Sequence, residues 1–144
     1  MRNFFTATTL LAAFAMSGSP AYGDDMSDYD AIKTTIYNYF DGLRLADRER
    51  LEKAFAVDAG HMKGYLKGKD DSYDLSVRPM REVIDEWAAR DPKPDMKGEI
   101  LAINIYSDIA ATVLFDFNGI YTDSFQLAKV NGDWRIVNKF YIGQ

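Results

Sequence analysis

From Gly98 onward the hydrophobic pattern has a period of two, and three short connections divide it into four runs. Ile100 to Tyr106, Ile109 to Phe117, Ile120 to Val130 and Asp133 to Tyr141 read as strands, because alternate side chains of a strand face opposite sides. Ser107-Asp108, Asn118-Gly119 and Asn131-Gly132 join them. Asn-Gly suits a two-residue hairpin turn, in which both central residues take positive φ. The second half of the chain is therefore expected to be an antiparallel meander.

The first half reads differently. Ser27 or Asp28 can cap a helix over 28–45, in which Ile32, Ile36, Tyr39, Phe40 and Leu43 recur at helical spacing. Asp47 can cap a second helix over 48–57, with Leu51, Ala54 and Phe55 on its apolar side. Residues 60–76 show no helical period, and His61 to Leu66 could form a short strand. Ser76 offers a cap for a third helix, with Pro79 in its first turn and Met80, Val83, Ile84, Trp87 and Ala88 as its apolar stripe. The proline-rich stretch Asp91-Pro92-Lys93-Pro94-Asp95 ends it. Helices first and a meander after them predict an α+β domain, three helices packed on one face of a curved sheet.

Residues 1–23 resemble a secretory signal: Arg2, an uncharged apolar run from Thr6 to Met16, a Ser-Gly-Ser-Pro break, and Ala21-Tyr22-Gly23 at the expected cleavage point. The run is too short to cross a bilayer as a helix, since about 20 apolar residues are needed. A mature domain of residues 24–144 and a periplasmic or secreted location follow as expectations. Without the leader, 16 basic face 22 acidic residues. That balance predicts no nucleic-acid partner and no attraction to an anionic membrane. With no Cys and a single His, thiolate and multi-histidine metal sites are excluded, and no metal or cofactor is expected. The stretch Lys69 to Asp74 lacks the glycine and distal glutamate of a calcium loop and reads as a solvated turn.

Two-residue turns would fix the register. Asp116 would then oppose Tyr121, Leu114 would oppose Asp123, Phe125 would oppose Asn138, and Asp123 would oppose Phe140. One face would carry Leu114, Asp116, Tyr121, Asp123, Phe125, Leu127, Trp134, Ile136, Asn138 and Phe140. The other would carry Val113, Phe115, Phe117, Thr122, Ser124, Gln126, Arg135, Val137 and Lys139. On the first, apolar face the polar cluster Asp116, Tyr121, Asp123 and Asn138 is the most informative chemistry. A carboxylate there must be paired, wet or protonated. It could serve as a base in a cavity; alternatively, Asp116 is exposed at a strand end and Asp123 bonds Tyr121 or a helix residue. His61 could be a base, a ligand contact or a loop residue. Tyr37, Tyr39, Tyr65, Trp87 and Tyr121 could stack on a flat ring or belong to the core.

Three segments carry a resemblance: IYNYFDGLRLADRERLEKAF at 36–55, INIYSDIAATVLF at 103–115 and FQLAKVNGDWRIVNKFY at 125–141. In them the chain resembles the lumazine-binding family of the nuclear transport factor 2-like superfamily, to which SnoaL-like and ketosteroid isomerase-like proteins also belong. The resemblance implies a cone formed by three helices and a strongly bent antiparallel sheet. It also implies a lumazine- or flavin-like ligand and a homodimer through the outer sheet face, to which Val113, Phe115 and Val137 could contribute. Relatives often have His-Pro after the second helix, where this chain has Ala56-Val57. Three functions remain open: an exported binding protein for a small apolar or aromatic molecule; a partner-binding homodimer without a ligand; and a cofactor-free isomerase, dehydratase or hydrolase. The ligand contacts expected are Tyr37, His61, Trp87, Asp116, Tyr121, Asp123 and Asn138.

Overall fold

The computed structural model describes residues 27–143, so the expected leader at 1–23 lies outside the described residues. Helix α1 runs Asp28–Leu45; Ser27 Oγ caps it by accepting from the Asp30 N–H at 3.2 Å. Asp47 caps α2, Arg48–Ala54, by accepting from the Arg50 N–H. This helix ends three residues before the expected 57, because Phe55 turns extended and bridges to Ile136 of the sheet. Its ring is thereby buried in the core.

Strands β1 (His61–Lys67) and β2 (Tyr73–Pro79) form an antiparallel pair before α3, Met80–Ala88. Ser76 therefore does not cap a helix; it sits in β2 opposite Gly64. The β2 side chains are nearly all exposed, and an edge strand with one neighbour has little apolar alternation to betray it. Then follow β3 (Gly98–Ser107), β4 (Ala110–Phe117), β5 (Tyr121–Val130) and β6 (Asp133–Gly143). The sheet order is β2-β1-β6-β5-β4-β3. The expected meander is present, but the whole sheet is mixed, because β1 joins β6 in parallel. Three helices cover the sheet's inner face, and Tyr39 stands at the centre of the core with the rings of Phe55, Trp87, Phe115 and Phe125 at 5.2–6.2 Å.

The register differs from expectation in two places. Asn118 and Gly119 do take positive φ, and Ile120 N–H donates to the Phe117 carbonyl. Pairing resumes with Phe117 opposite Tyr121, so Ile120 is an extra residue. All of β4 is exchanged between faces as a result: Val113 and Phe115 are buried, while Leu114 and Asp116 turn outward. In the β5–β6 hairpin, Leu127 opposes Ile136 as expected, but Gln126 then opposes Asn138 and Val137 is skipped. Beyond this bulge Phe125 opposes Lys139 and Asp123 opposes Tyr141. Asn138 and Phe140 thus leave the inner face, and Lys139 and Tyr141 enter it. Val113 and Phe115 belong to the core rather than to an outer interface.

Candidate functional site

A cavity of about 410 Å³ opens between the helices and the inner face of β5 and β6. That volume lies within the range of small-molecule sites, roughly 300–1,000 Å³. Its elements arrive from far apart in the chain. Tyr39 belongs to the α1 stripe begun by Ile32 and Ile36; Trp87 comes from α3, Asp123 from β5, and Lys139 and Tyr141 from β6. Phe117, Tyr121, Leu43, Met62 and Met96 supply further wall.

Its polar floor is one connected group. Tyr39 Oη donates to Asp123 Oδ2 at 2.7 Å, and Lys139 Nζ donates to Asp123 Oδ1 at 2.5 Å. The Lys139 and Asp123 side chains are 5% and 1% exposed, so this ion pair has almost no water around it. The ammonium also lies 4.8 Å from the centroid of the Tyr141 ring and 5.5 Å from that of Tyr39, within the reach of a cation–π attraction. Burial pushes the Lys139 amine below its ordinary pKa, and the Asp123 charge opposes that only in part. Burial, then the adjacent carboxylate, push the Tyr39 phenol well above its ordinary value, so Tyr39 remains a hydrogen-bond donor at neutral pH. No buried side-chain polar atom among the described residues is left without a partner.

The mouth is basic. Arg78, Arg90 and Lys93 line it, with Asp91 beside them. Glu86 accepts from Arg78 at 2.7 Å and also from Arg90, tying β2 to the end of α3. Cations still exceed anions at the site after Glu86 is counted, in a protein whose formal net charge is −5. A larger groove of about 610 Å³ lies between α1 and the β5–β6 hairpin. Its charges are surface charges already matched to one another, as where Asp28 accepts from Lys129 Nζ and Trp134 Nε1. The smaller cavity, with its desolvated pair, is the better candidate site.

Trp87, Tyr121 and Asp123 of the expected contacts come together here. The other four do not line the cavity. Tyr37 packs half-buried against the core from α1, and His61 begins β1 with its side chain exposed. Asp116 is on the outer face, accepting from the Gly119 N–H of its own turn. Asn138 is also on that face, accepting from Lys63 Nζ. Of the two alternatives for Asp123, the bond to a helix residue holds, through Tyr39. Sequence reasoning missed Lys139, which a two-residue turn without a bulge assigns to the wrong face, and the three mouth cations. Arg78 falls in the start of the expected third helix and Lys93 in the proline-rich stretch that ends it, and neither placement brings a cation to a cavity. Among the described residues there is no group of acidic or histidine side chains able to hold a metal.

Comparison with known proteins follows the same outline. The family model described as "Putative lumazine-binding" matches residues 27–142. An NTF2-like protein of unknown function from Shewanella baltica is 29% identical, with a TM-score of 0.67 over 81% of this chain and 93% of its own. One from Methylobacillus flagellatus shares 23% identity at the same TM-score, covering 83% and 94%. A ketosteroid isomerase-like protein from Erwinia carotovora atroseptica, 15% identical with a TM-score of 0.56, shares the fold over 82% and 97%. Aldolase FrzH from Cladobotryum sp. is 25% identical over 118 residues, 80% of this chain and 90% of the aldolase.

Proposed function

Because this chain belongs to the lumazine-binding family of NTF2-like proteins, we propose that it is an exported binding protein for a compact, flat molecule bearing an anionic group. The observation that carries the reading is the cavity itself: aromatic walls, a basic mouth, and a desolvated Lys139–Asp123 pair on its floor. Rings offer area to a flat ligand, and the few polar groups fix its orientation. Arg78, Arg90 and Lys93 attract an anion from an otherwise acidic surface. The leader-like residues 1–23 support export to the periplasm or beyond. The outer sheet face, where Leu114 and Ile142 stay exposed, is the surface through which two copies would pair.

Trp87 lines the cavity and Trp134 does not, so a Trp134→Phe variant leaves one fluorescent reporter. Titration of this variant with benzoate and with lumazine should give a saturable change in Trp87 emission. Native mass spectrometry of the same protein reads both a retained small molecule and the mass of a dimer. A flat titration with both probes, together with a protein that carries no small molecule, would overturn the pocket reading.

A further inference from the structure

We propose that Lys139 is a nucleophilic amine, and that the ligands of this cavity include aldehydes or ketones that it holds as a reversible imine. The proposal rests on the pocket reading above and adds to it the chemistry of the floor.

Three features of the floor fit this role. First, Lys139 lines the cavity with its side chain only 5% exposed, and Asp123 is the one hydrogen-bond acceptor found for Nζ among the described residues. An ordinary lysine amine is almost wholly protonated at neutral pH and cannot attack a carbonyl. Burial favours the neutral amine at Lys139, and lysines used for Schiff-base chemistry are desolvated in this way. Second, Asp123 is placed to take the proton that the amine must lose. Third, the Tyr39 hydroxyl bonds the same carboxylate and stays protonated, which fixes the orientation of the acid. Apolar residues of similar volume often serve stability as well as a buried ion pair does, so stability alone does not account for this one.

The step balances without any further reactant. The Lys139 ammonium passes a proton to Asp123. The freed nitrogen lone pair forms a C–N bond to the carbonyl carbon, and the C=O π pair moves to oxygen. Proton transfer from nitrogen to that oxygen gives a carbinolamine. Asp123 then returns its proton to the hydroxyl, the C–O bond breaks, and one water leaves. The product is a protonated imine on Lys139 beside an Asp123 carboxylate, so charge is conserved and nothing is oxidised or reduced. The rings of Tyr39, Phe125 and Tyr141 packed around Nζ exclude bulk water that would otherwise hydrolyse it.

The test uses para-carboxybenzaldehyde, whose carboxylate suits the basic mouth, and its carbonyl-free counterpart benzoate. The folded protein is incubated with the aldehyde and sodium cyanoborohydride, and the trapped amine is located by peptide mass mapping. Lys139 should be the first amine labelled, ahead of the exposed Lys53 and Lys67, because burial favours its neutral form. Lys139→Arg keeps the cation but has no condensing amine; it should lose the fast adduct. Labelling confined to surface lysines in a protein that binds benzoate would overturn the imine and leave the pocket standing. A protein that neither binds benzoate nor traps the aldehyde at Lys139 would overturn both. The mapping on the unaltered chain decides the matter even if the arginine variant fails to fold.

Discussion

Lys139 Nζ lies 2.5 Å from Asp123 Oδ1, and 16 residues of chain separate the two. They meet because β5 and β6 are hairpin partners whose register slips by one residue at Val137. Each charge is so thoroughly buried that neither would be tolerated alone.

Asp123→Ala should destabilise the domain by about 3–5 kcal/mol, the usual cost of stranding one member of a buried pair. Replacing both members, with Asp123→Leu and Lys139→Met, should cost far less than the sum of the single changes. Urea unfolding of the wild type, Asp123→Leu, Lys139→Met and the double variant gives the coupling directly. Additive costs would show that the pair is not the unit described.

Tyr39 sets a limit at alkaline pH. Its folded-state pKa is raised above the ordinary 10.0, so the folded chain holds the phenolic proton more tightly than the unfolded chain does. The stability linked to it is complete below pH 10.0 and falls as pH rises toward the folded value. The lowered Lys139 acts with the opposite sign, adding stability as pH climbs from its folded value toward 10.5. Tyr39→Phe should cost about 1–3 kcal/mol at neutral pH, since Asp123 loses a buried donor. It should also flatten the loss above pH 10.0. Thermal unfolding of both proteins across pH 8 to 11, a span of roughly the tyrosine and lysine titrations, checks both parts.

Gly64 controls the cavity wall from behind. A methyl group on it would lie 2.5 Å from Tyr141 Oη and 2.7 Å from its Cε1, because the Tyr141 ring lies over the glycine across the parallel β1–β6 pair. Gly64→Ala should push that ring toward Lys139, costing about 1–3 kcal/mol through overpacking. It should also weaken benzoate binding. The nearby Lys67→Ala, which removes only a surface ion pair, serves as the control. Unchanged affinity in Gly64→Ala would disconnect Tyr141 from the ligand.

Deleting Ile120 should be more damaging than any point substitution on that hairpin. The residue is about half exposed and its side chain packs little, yet it supplies the extra step between Asn118-Gly119 and Tyr121. Without it, β4 would present Leu114 and Asp116 to the core in place of Val113 and Phe115. Ile120→Ala should leave the melting temperature nearly unchanged, and the deletion should abolish the cooperative transition. Circular dichroism on both distinguishes register from side-chain loss.

What the sequence made legible follows from where the physics is local. Helix α1, the capping role of Asp47 and all four meander strands come from nearest-neighbour chemistry, and all are present. Asp123 and Tyr121 were placed on the covered face because β5 alternates cleanly. Single-residue insertions are a different kind of fact. Ile120 and Val137 look like ordinary strand residues, and only the partner strand reveals that each is skipped. Two such skips are enough to exchange Asp116 and Asn138 for Phe115 and Lys139. Arg78 could not have been found because β2 is an exposed edge strand, and its place at the mouth depends on a pairing with β1.

The parallel contact of β1 with β6 joins residues 61–65 to residues 138–142. A ribosome must therefore deliver β6 before the middle of the sheet can close, and until then the β1–β2 hairpin has no neighbour on its inner side. Contacts between such distant segments slow folding. Lys139 and Tyr141 sit on that last strand, so the cavity with its charged floor takes shape only when the C-terminal end of the chain has docked.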